Sequence, residues 1–365
     1  LKRLSFITPS LYLGGAERWA LTLLKNLKHF DGQHCLVTSG VGHPSLIRDA
    51  QKTFKHLHLN TNTKHPDSQY PIPDDYSQKL RIICEDSDIL ITWMTTDLQR
   101  VCQGIEIPIV HVIHSSPDWE DLFDQMRVSC LGATSIVSVS QAGIAIAPPE
   151  VQKNVRVIYN GIDANSVCPR HFSLKKELKL DDNKKTILYM GRYHTIKGWD
   201  CLIDACKHLN KDKYQLCMFG AGPEINSVIA VAKSMRMDNR VCEPINHPGD
   251  AYWMSDIVVL PSRSEANPLV LLEAMLARKI VIASDTSAIK ELFAMHGEMC
   301  FTYPVDDARA LKECIEAADN RFVDRAYEIV STIYTASAMG GRWDMYLGQV
   351  IREWEQQKDY RKIWN

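Results

Sequence analysis

Ile257-Val258-Val259-Leu260-Pro261-Ser262-Arg263-Ser264-Glu265-Ala266-Asn267-Pro268-Leu269-Val270-Leu271-Leu272-Glu273-Ala274-Met275 decides the fold. Its first four residues are apolar on both faces, which suits a parallel strand covered by helices on each side. A polar exit loop follows. Asn267 is a favoured N-cap and Pro268 a favoured first helical residue. The helix expected from Leu269 to Ala277 is apolar nearly all round, so it is expected to be buried. A buried strand running through a short loop into a buried helix is one unit of an open α/β sheet.

The same alternation runs along the chain. In the first half strands are expected at Leu4–Ile7, Cys35–Thr38, His56–Leu59, Ile89–Trp93, Ile109–His114, Ile136–Val139 and Val155–Tyr159, and in the second half at Thr186–Met190, Gln215–Phe219, Ile257–Leu260, Ile280–Ala283 and Met299–Thr302. Between them, Ala16, Ala20, Leu23, Leu24 and Leu27 keep helix spacing. Right-handed strand–helix crossovers then give an α/β protein of two Rossmann-like, doubly wound domains. The boundary is expected after Asn160-Gly161-Ile162-Asp163, giving domains at 1–165 and 166–340. Residues 341–365 form a last helix whose stripe of Trp343, Tyr346, Leu347, Val350, Ile351 and Trp354 needs a surface to cover.

Bulk numbers agree with this. The 365 residues suggest about two domains. The chain is 45% hydrophobic and 24% charged with a net charge of −2, so no nucleic-acid partner is expected. No apolar run reaches the ~20 residues of a membrane span, and Leu1-Lys2-Arg3-Leu4-Ser5-Phe6-Ile7 reads as a first strand, too short for a signal peptide. Eleven cysteines without a Cys-x-x-Cys read as reduced, mostly buried thiols of a cytoplasmic protein.

Glu273 is the anomaly, a carboxylate in the middle of an apolar helix. A buried carboxylate needs a partner, either a salt bridge to a neighbouring helix or a ligand diol such as a ribose. Glu265 stands at the carboxyl end of a strand, the edge where open α/β sheets bind ligands. At the same edge, Gly191-Arg192-Tyr193-His194-Thr195-Ile196-Lys197-Gly198 puts two cations around a strand-to-helix turn. There a helix dipole favours an anion, and Arg and Lys add a fork and a point charge. Gly14-Gly15-Ala16-Glu17-Arg18 and Gly220-Ala221-Gly222-Pro223-Glu224 are two more turns of this kind. In isolation both read as tight strand–helix connections.

The segment Pro261–Met275 resembles the Glu-x7-Glu signature of glycosyltransferase family 4, whose members are retaining enzymes of GT-B architecture, with two Rossmann-like domains facing a central cleft. Gly-Arg followed by Lys-Gly at this spacing, the Gly-Gly-Ala-Glu-Arg string and the Gly220 loop are similar to further features of that family. The resemblance implies a nucleotide-sugar donor, with Glu273 on the ribose and Glu265 facing the sugar. It puts Arg192 and Lys197 on the diphosphate, and Gly14, Gly15, Gly220 and the amides of Asn267, Pro268, Leu269 and Val270 beside the donor. It implies no metal and no cofactor. The first domain would supply the pocket of a sugar, lipid-linked or small-molecule acceptor, in some cases at the inner face of a membrane. The last helix would cross back onto that domain.

Two histidines and an acid pair complete the candidates. His111 and His114, three apart on a strand, point to opposite faces, so they are not expected to share a metal. His111 reads as a core residue. The resemblance puts His114, at the strand end, near the donor sugar. Asp86-Ser87-Asp88 precedes a strand instead of following one and reads as a turn. The chain departs from the family at Arg278-Lys279-Ile280, where Gly-x-Pro is usual, at Ser287-Ala288, and at Ala266-Asn267-Pro268, where Gly-Phe-Gly or Gly-Phe-Pro is commoner. These changes bear on the sugar pocket. A sugar-nucleotide epimerase and a non-catalytic sugar- or nucleotide-binding protein are the rival readings.

Overall fold

The computed structural model describes all residues except 9, 12, 13, 38–41, 60–75, 94–103, 117–126, 128, 129, 236–238 and 365. The chain divides into two compact units. Unit 1 comprises residues 1–161 with 336–365, and unit 2 comprises 162–335. The division thus falls at 161 and 335, where the sequence pattern suggested 165 and 340. The last helix belongs to unit 1.

Unit 1 is a parallel sheet in the order β3-β2-β1-β4-β5-β6-β7. Its strands are β1 (Lys2–Thr8), β2 (Phe30–Val37), β3 (His56–Leu59), β4 (Ile89–Trp93), β5 (Ile109–Ile113), β6 (Ser135–Ser138) and β7 (Arg156–Val157). Its described helices are α1 (Gly15–Asn26), α2 (Pro44–Thr53) and α3 (Tyr76–Glu85), with the long C-terminal helix, Ala336–Trp364, added from the far end of the chain. Unit 2 is a second parallel sheet, β10-β9-β8-β11-β12-β13. Its strands are β8 (Lys185–Met190), β9 (Tyr214–Phe219), β10 (Asn239–Cys242), β11 (Ile257–Leu260), β12 (Ile280–Ser284) and β13 (Phe301–Tyr303). Its helices are α4 (Leu174–Glu177), α5 (Trp199–Lys207), α6 (Ile225–Ser234), α7 (Pro248–Met254), α8 (Leu269–Leu276), α9 (Ser287–His296), α10 (Ala308–Ala317) and α11 (Val323–Ile333), and the C-terminal helix is α12.

Both sheets are doubly wound, as the alternating pattern predicts. In each, the strand order reverses beside the first strand, between β1 and β4 and between β8 and β11. The carboxyl ends of strands flanking such a reversal are where ligands settle in this class of sheet. Ile257–Leu260 is buried along its whole length. The differences from expectation lie at edges. Strand β10 had no apolar signal, because Asn239 and Arg240 begin it and only β9 borders it. Strand β2 starts at Phe30, so Asp31, Gly32, Gln33 and His34 join the sheet, and its register against β1 shifts between Leu4 and Phe6. Strand β7 is only two residues long. No described helix is long and apolar enough to cross a membrane, and the described cysteines are free, most of them buried.

Helix α12 finds its surface on α1. Trp343, Leu347, Val350 and Ile351 are buried, and Trp343 packs on Trp19 of α1 with ring centroids 5.5 Å apart. The Asp344 carboxylate accepts hydrogen bonds from the backbone N–H of Lys28 (2.8 Å) and His29 (3.1 Å), just past the end of α1. The two helices touch where Gly340 lies, since a β-carbon there would stand 2.2 Å from the Asn26 carbonyl oxygen. The next residue, Gly341, faces open space. Adjacent substitutions therefore have opposite signs. Gly340→Ala forces α12 off α1 and destabilises unit 1 by ~1–3 kcal/mol, whereas Gly341→Ala removes a helix-weakening glycine and stabilises it by up to ~1 kcal/mol. Denaturant unfolding measures both. A Gly340→Ala protein as stable as the parent would refute the close contact.

Candidate active site

The site in unit 2 is built from the two loops that leave the neighbouring strands β8 and β11. Beyond β8 the chain makes a short 3-10 turn, Thr195–Lys197, and enters α5 through Gly198. Gly198 has φ 61°, a left-handed conformation that glycine adopts without penalty. A β-carbon there would stand 1.8 Å from the Pro261 carbonyl oxygen in the loop after β11. The loops are thus pressed backbone to backbone, and the Arg263 N–H donates to the Ile196 carbonyl at 2.8 Å.

This approach brings Lys197 to Glu265. The ammonium Nζ donates to Glu265 Oε1 at 2.7 Å, and Ser262 Oγ donates to the same oxygen at 2.6 Å. The pair is partly buried, with 27% of the lysine and 12% of the glutamate side chain exposed. Arg192 is exposed and makes no ion pair among the described residues. The two cations of the sequence pattern therefore start from different states: one is held by Glu265 and the other is open to an incoming anion.

Glu273 is buried, as its apolar neighbours require. The helix beside it, α7, supplies a hydroxyl, where the sequence left open a salt bridge or a ligand diol. Tyr252 Oη donates to Glu273 Oε2 at 2.8 Å, and Tyr252 is itself fully buried. Helix α8 begins at Leu269, as expected, but its N-cap is one residue later than expected. Pro268 is its N-cap and makes no side-chain capping bond, so Asn267, which is buried, lies outside the helix. Proline has no N–H. The amide donors expected over 267–270 therefore come from Leu269 and Val270, whose N–H groups precede the first intrahelical partner, and from Asn267, which lies in the loop.

The Gly220 loop serves packing around this edge. A β-carbon on Gly220 would lie 2.0 Å from the Gly191 carbonyl oxygen, and the Tyr193 N–H donates to Ala221 across the two turns at 2.8 Å. Glu224 accepts from the Thr195 N–H (3.0 Å) and Trp199 Nε1 (2.6 Å). Burial raises its pKa, yet these bonds outweigh that and leave it lowered. Three residues important here escaped the sequence reading: Tyr252, Glu224 and Arg263. Arg263, inside the opening motif, grips Asp200 and Asp306, which lie 63 and 43 residues away in the chain. Local pattern carries no signal for such partners.

In unit 1, Gly14 is the N-cap of α1 and Gly15 its first residue. A β-carbon on Gly14 would meet only the tip of Glu17, which accepts a 3.0 Å hydrogen bond from Ser10. The Asp86-Ser87-Asp88 turn is committed to structure, with Asp88 accepting from the Arg3 N–H at 2.6 Å and Ser87 bonded to Ser5 at 2.7 Å. His111 is a buried residue of β5 with Nδ1 2.9 Å from Thr92 Oγ1. His114 follows the strand, its ring edge-on to Trp19 at 4.5 Å. Although the residue is partly exposed, its Nε2 atom is buried and has no hydrogen-bond partner among the described residues.

Burial pushes the pKa of His111 down to about 4, and burial followed by the neighbouring His111 pushes His114 down to about 3. Both imidazoles are neutral in the folded chain at pH 7, while in the unfolded chain they take up a proton near pH 6.5. The unfolded state therefore binds more protons below that pH. Stability is complete above about 6.5 and falls as the pH drops towards 4 and 3, by up to ~1.4 kcal/mol per pH unit for each ring. Thermal unfolding from pH 7.5 to 5 should show unit 1 melting progressively earlier, and His111→Gln should flatten the trend. A melting temperature independent of pH in both proteins would contradict the neutral, buried rings.

Residues 172–321 match the profile of glycosyl transferases group 1. The chain is 26% identical over 211 residues to N-acetyl-alpha-D-glucosaminyl L-malate synthase of Bacillus anthracis, an alignment covering 55% of each protein. It is 28% identical over 224 residues to alpha-maltose-1-phosphate synthase of Mycobacterium tuberculosis, covering 54% of this chain and 56% of that one. The chain thus spans little more than half the length of these relatives. In fold the likeness is nearly complete. Anabaena HepE, solved with UDP and glucose, superposes with a TM-score of 0.79 over 96% of this chain and 100% of that one at 18% identity. WaaG, a glycosyltransferase involved in lipopolysaccharide biosynthesis, gives 0.70 over 94% and 99% at 14% identity. Over residues 172–321 the chain is thus similar to the glycosyl transferases group 1 family, and its pair of doubly wound sheets has the GT-B glycosyltransferase fold.

Proposed function

We propose that this protein is a retaining glycosyltransferase. It moves a hexose from a nucleoside-diphosphate sugar, with UDP-hexose the first choice of donor and GDP-mannose the second, to the hydroxyl of a sugar, lipid-linked or small-molecule acceptor, without a metal ion. The observation that carries this reading is the 2.7 Å Lys197–Glu265 pair at the strand reversal of unit 2, beside the start of α8 and its buried Glu273. The HepE structures that hold UDP and UDP-glucose support a uridine donor.

The roles follow from the chemistry of each group. Glu273, kept in place by Tyr252, accepts hydrogen bonds from the ribose hydroxyls. Arg192 and Lys197 meet the diphosphate together with the Leu269 and Val270 amides. As the bond between the anomeric carbon and the β-phosphate oxygen breaks, negative charge grows on the phosphate, where these donors are strongest. The sugar gains oxocarbenium character, with Glu265 at its hydroxyls. The acceptor oxygen forms the new bond on the face the phosphate leaves, and its proton passes to the departing phosphate oxygen. Cation and amide donors thus do the work for which a metal would otherwise be needed.

The test is a thermal-shift panel of UDP-, GDP- and ADP-sugars, followed by transfer assays with EDTA present. A bound donor raises the melting temperature. Transfer should proceed in EDTA and give a product with the donor's anomeric configuration. Lys197→Ala should lower kcat about 100-fold, and Glu273→Ala should weaken nucleotide binding about tenfold or more. An inverted product would overturn retention, and activity restored only by Mn²⁺ or Mg²⁺ would overturn metal independence. Epimerised nucleotide sugar formed without acceptor would make the chain an epimerase.

A further inference from the structure

We propose that Arg263 is the positioning residue of this site: it clamps three loops at the carboxyl edge of the unit 2 sheet and so fixes where Lys197 and Glu265 stand. The inference rests on the glycosyltransferase reading above for what those two residues do, and on geometry alone for how they are held.

Arg263 lies two residues before Glu265. A guanidinium has five N–H groups in a rigid fork, and here four of them donate hydrogen bonds while a second carboxylate also lies against Nη2. Nε donates to Asp306 Oδ2 at 3.0 Å. Nη1 donates to Asp200 Oδ1 at 2.9 Å and to the Thr195 carbonyl oxygen. Nη2 meets Asp200 Oδ2 at 2.7 Å and Asp306 Oδ1 at 2.8 Å. Asp200 stands in the first turn of α5, Asp306 follows β13, and Thr195 opens the turn that ends at Lys197. One side chain thus ties the loops after β8, β11 and β13.

Two features set this apart from a surface ion pair. With two carboxylates already paired to one guanidinium, Arg263 carries no free positive charge for a phosphate, so it does not belong with Arg192 and Lys197 as an anion ligand. Asp306 also holds φ 63°, a left-handed conformation that costs a non-glycine residue free energy. Backbone strain of this kind persists where surrounding structure imposes it, and here the strained residue presents its carboxylate to Arg263. Lysine would keep the charge, but three donors on one nitrogen cannot span two carboxylates and a carbonyl.

The test compares the parent chain with Arg263→Lys and Asp306→Asn. Asparagine tolerates the left-handed conformation and removes only the charge, so Asp306→Asn separates the clamp from folding. Donor KM, kcat and melting temperature are measured well below each protein's melting point, and amide hydrogen exchange is followed over residues 194–198 and 262–265. Positioning predicts that kcat falls about 100-fold in Arg263→Lys and about tenfold in Asp306→Asn, with donor KM changed far less. It also predicts that exchange quickens in those two segments and not elsewhere in unit 2. Unchanged kcat with a lowered melting temperature would make Arg263 merely structural and overturn the proposal, as would unchanged exchange in both segments. A parent chain that transfers sugar from no donor would instead overturn the glycosyltransferase reading, and exchange would still decide whether the clamp exists.

Discussion

Where Gly198 meets Pro261, two backbones approach so closely that no side chain fits between them. The left-handed turn at 198 and the carbonyl against it are satisfied together only by glycine. Everything chemical in unit 2 follows from that contact. It brings the turn before α5 against the loop before α8, and the Arg263 N–H bond to Ile196 holds the two in register. The ammonium on one loop and the carboxylate on the other are then within hydrogen-bond distance. The glycine of the Lys-Gly pair is there for that approach, and the lysine beside it carries the charge.

Most of the architecture was legible in the sequence because buried parallel strands write themselves as apolar runs. Ile257–Leu260 is the clearest, and its burial on both faces is what the run requires. Legibility failed where a strand carries polar residues, whether exposed or buried. Strand β10 lies at a sheet edge with polar residues, and the first residues of β2 are polar because strand pairing is a backbone property that side-chain pattern reports only indirectly. At the site, motif residues could be read, since their types and spacing are local. Their supports could not: Tyr252 reaches Glu273 from another helix, and Arg263 finds its acids 43 and 63 residues away. Even the cap of α8 was misplaced by one residue, which moves the usable amides beyond Pro268.

The acids at the edge of unit 2 and the histidine that ends β5 in unit 1 are settled differently. In unit 2 the buried and half-buried acids have defined donors: Glu224 takes Thr195 and Trp199, Glu265 takes Lys197 and Ser262, and Glu273 takes Tyr252. In unit 1, His114 has a buried ring nitrogen without a partner among the described residues, set among the rings of Trp19 and Trp93. A buried polar atom left unpaired is destabilising. It also keeps its bonding capacity for a hydroxyl or a water. The family match covers residues 172–321, within unit 2.

The two glutamates of the opening motif are the same residue type in different electrostatic settings, and the settings divide their work. Tyr252 reaches Glu273 with a neutral hydroxyl that fixes one carboxylate oxygen, Oε2, inside the helix layer. Glu265 is met by a cation, and both of its donors converge on Oε1. Its other oxygen is left to accept a single hydroxyl, while its charge is largely balanced by Lys197. A balanced carboxylate is a weak nucleophile, and it is a good fixed acceptor. In the proposed reaction a diphosphate arriving at Lys197 would compete with Glu265 for that cation, so filling the anion site would raise the effective negative charge of the carboxylate. Charge at the diphosphate and at the carboxylate would then be linked through one ammonium group. That linkage requires no nucleophilic carboxylate, and under this reading Glu265 would be an acceptor whose strength rises as the donor binds.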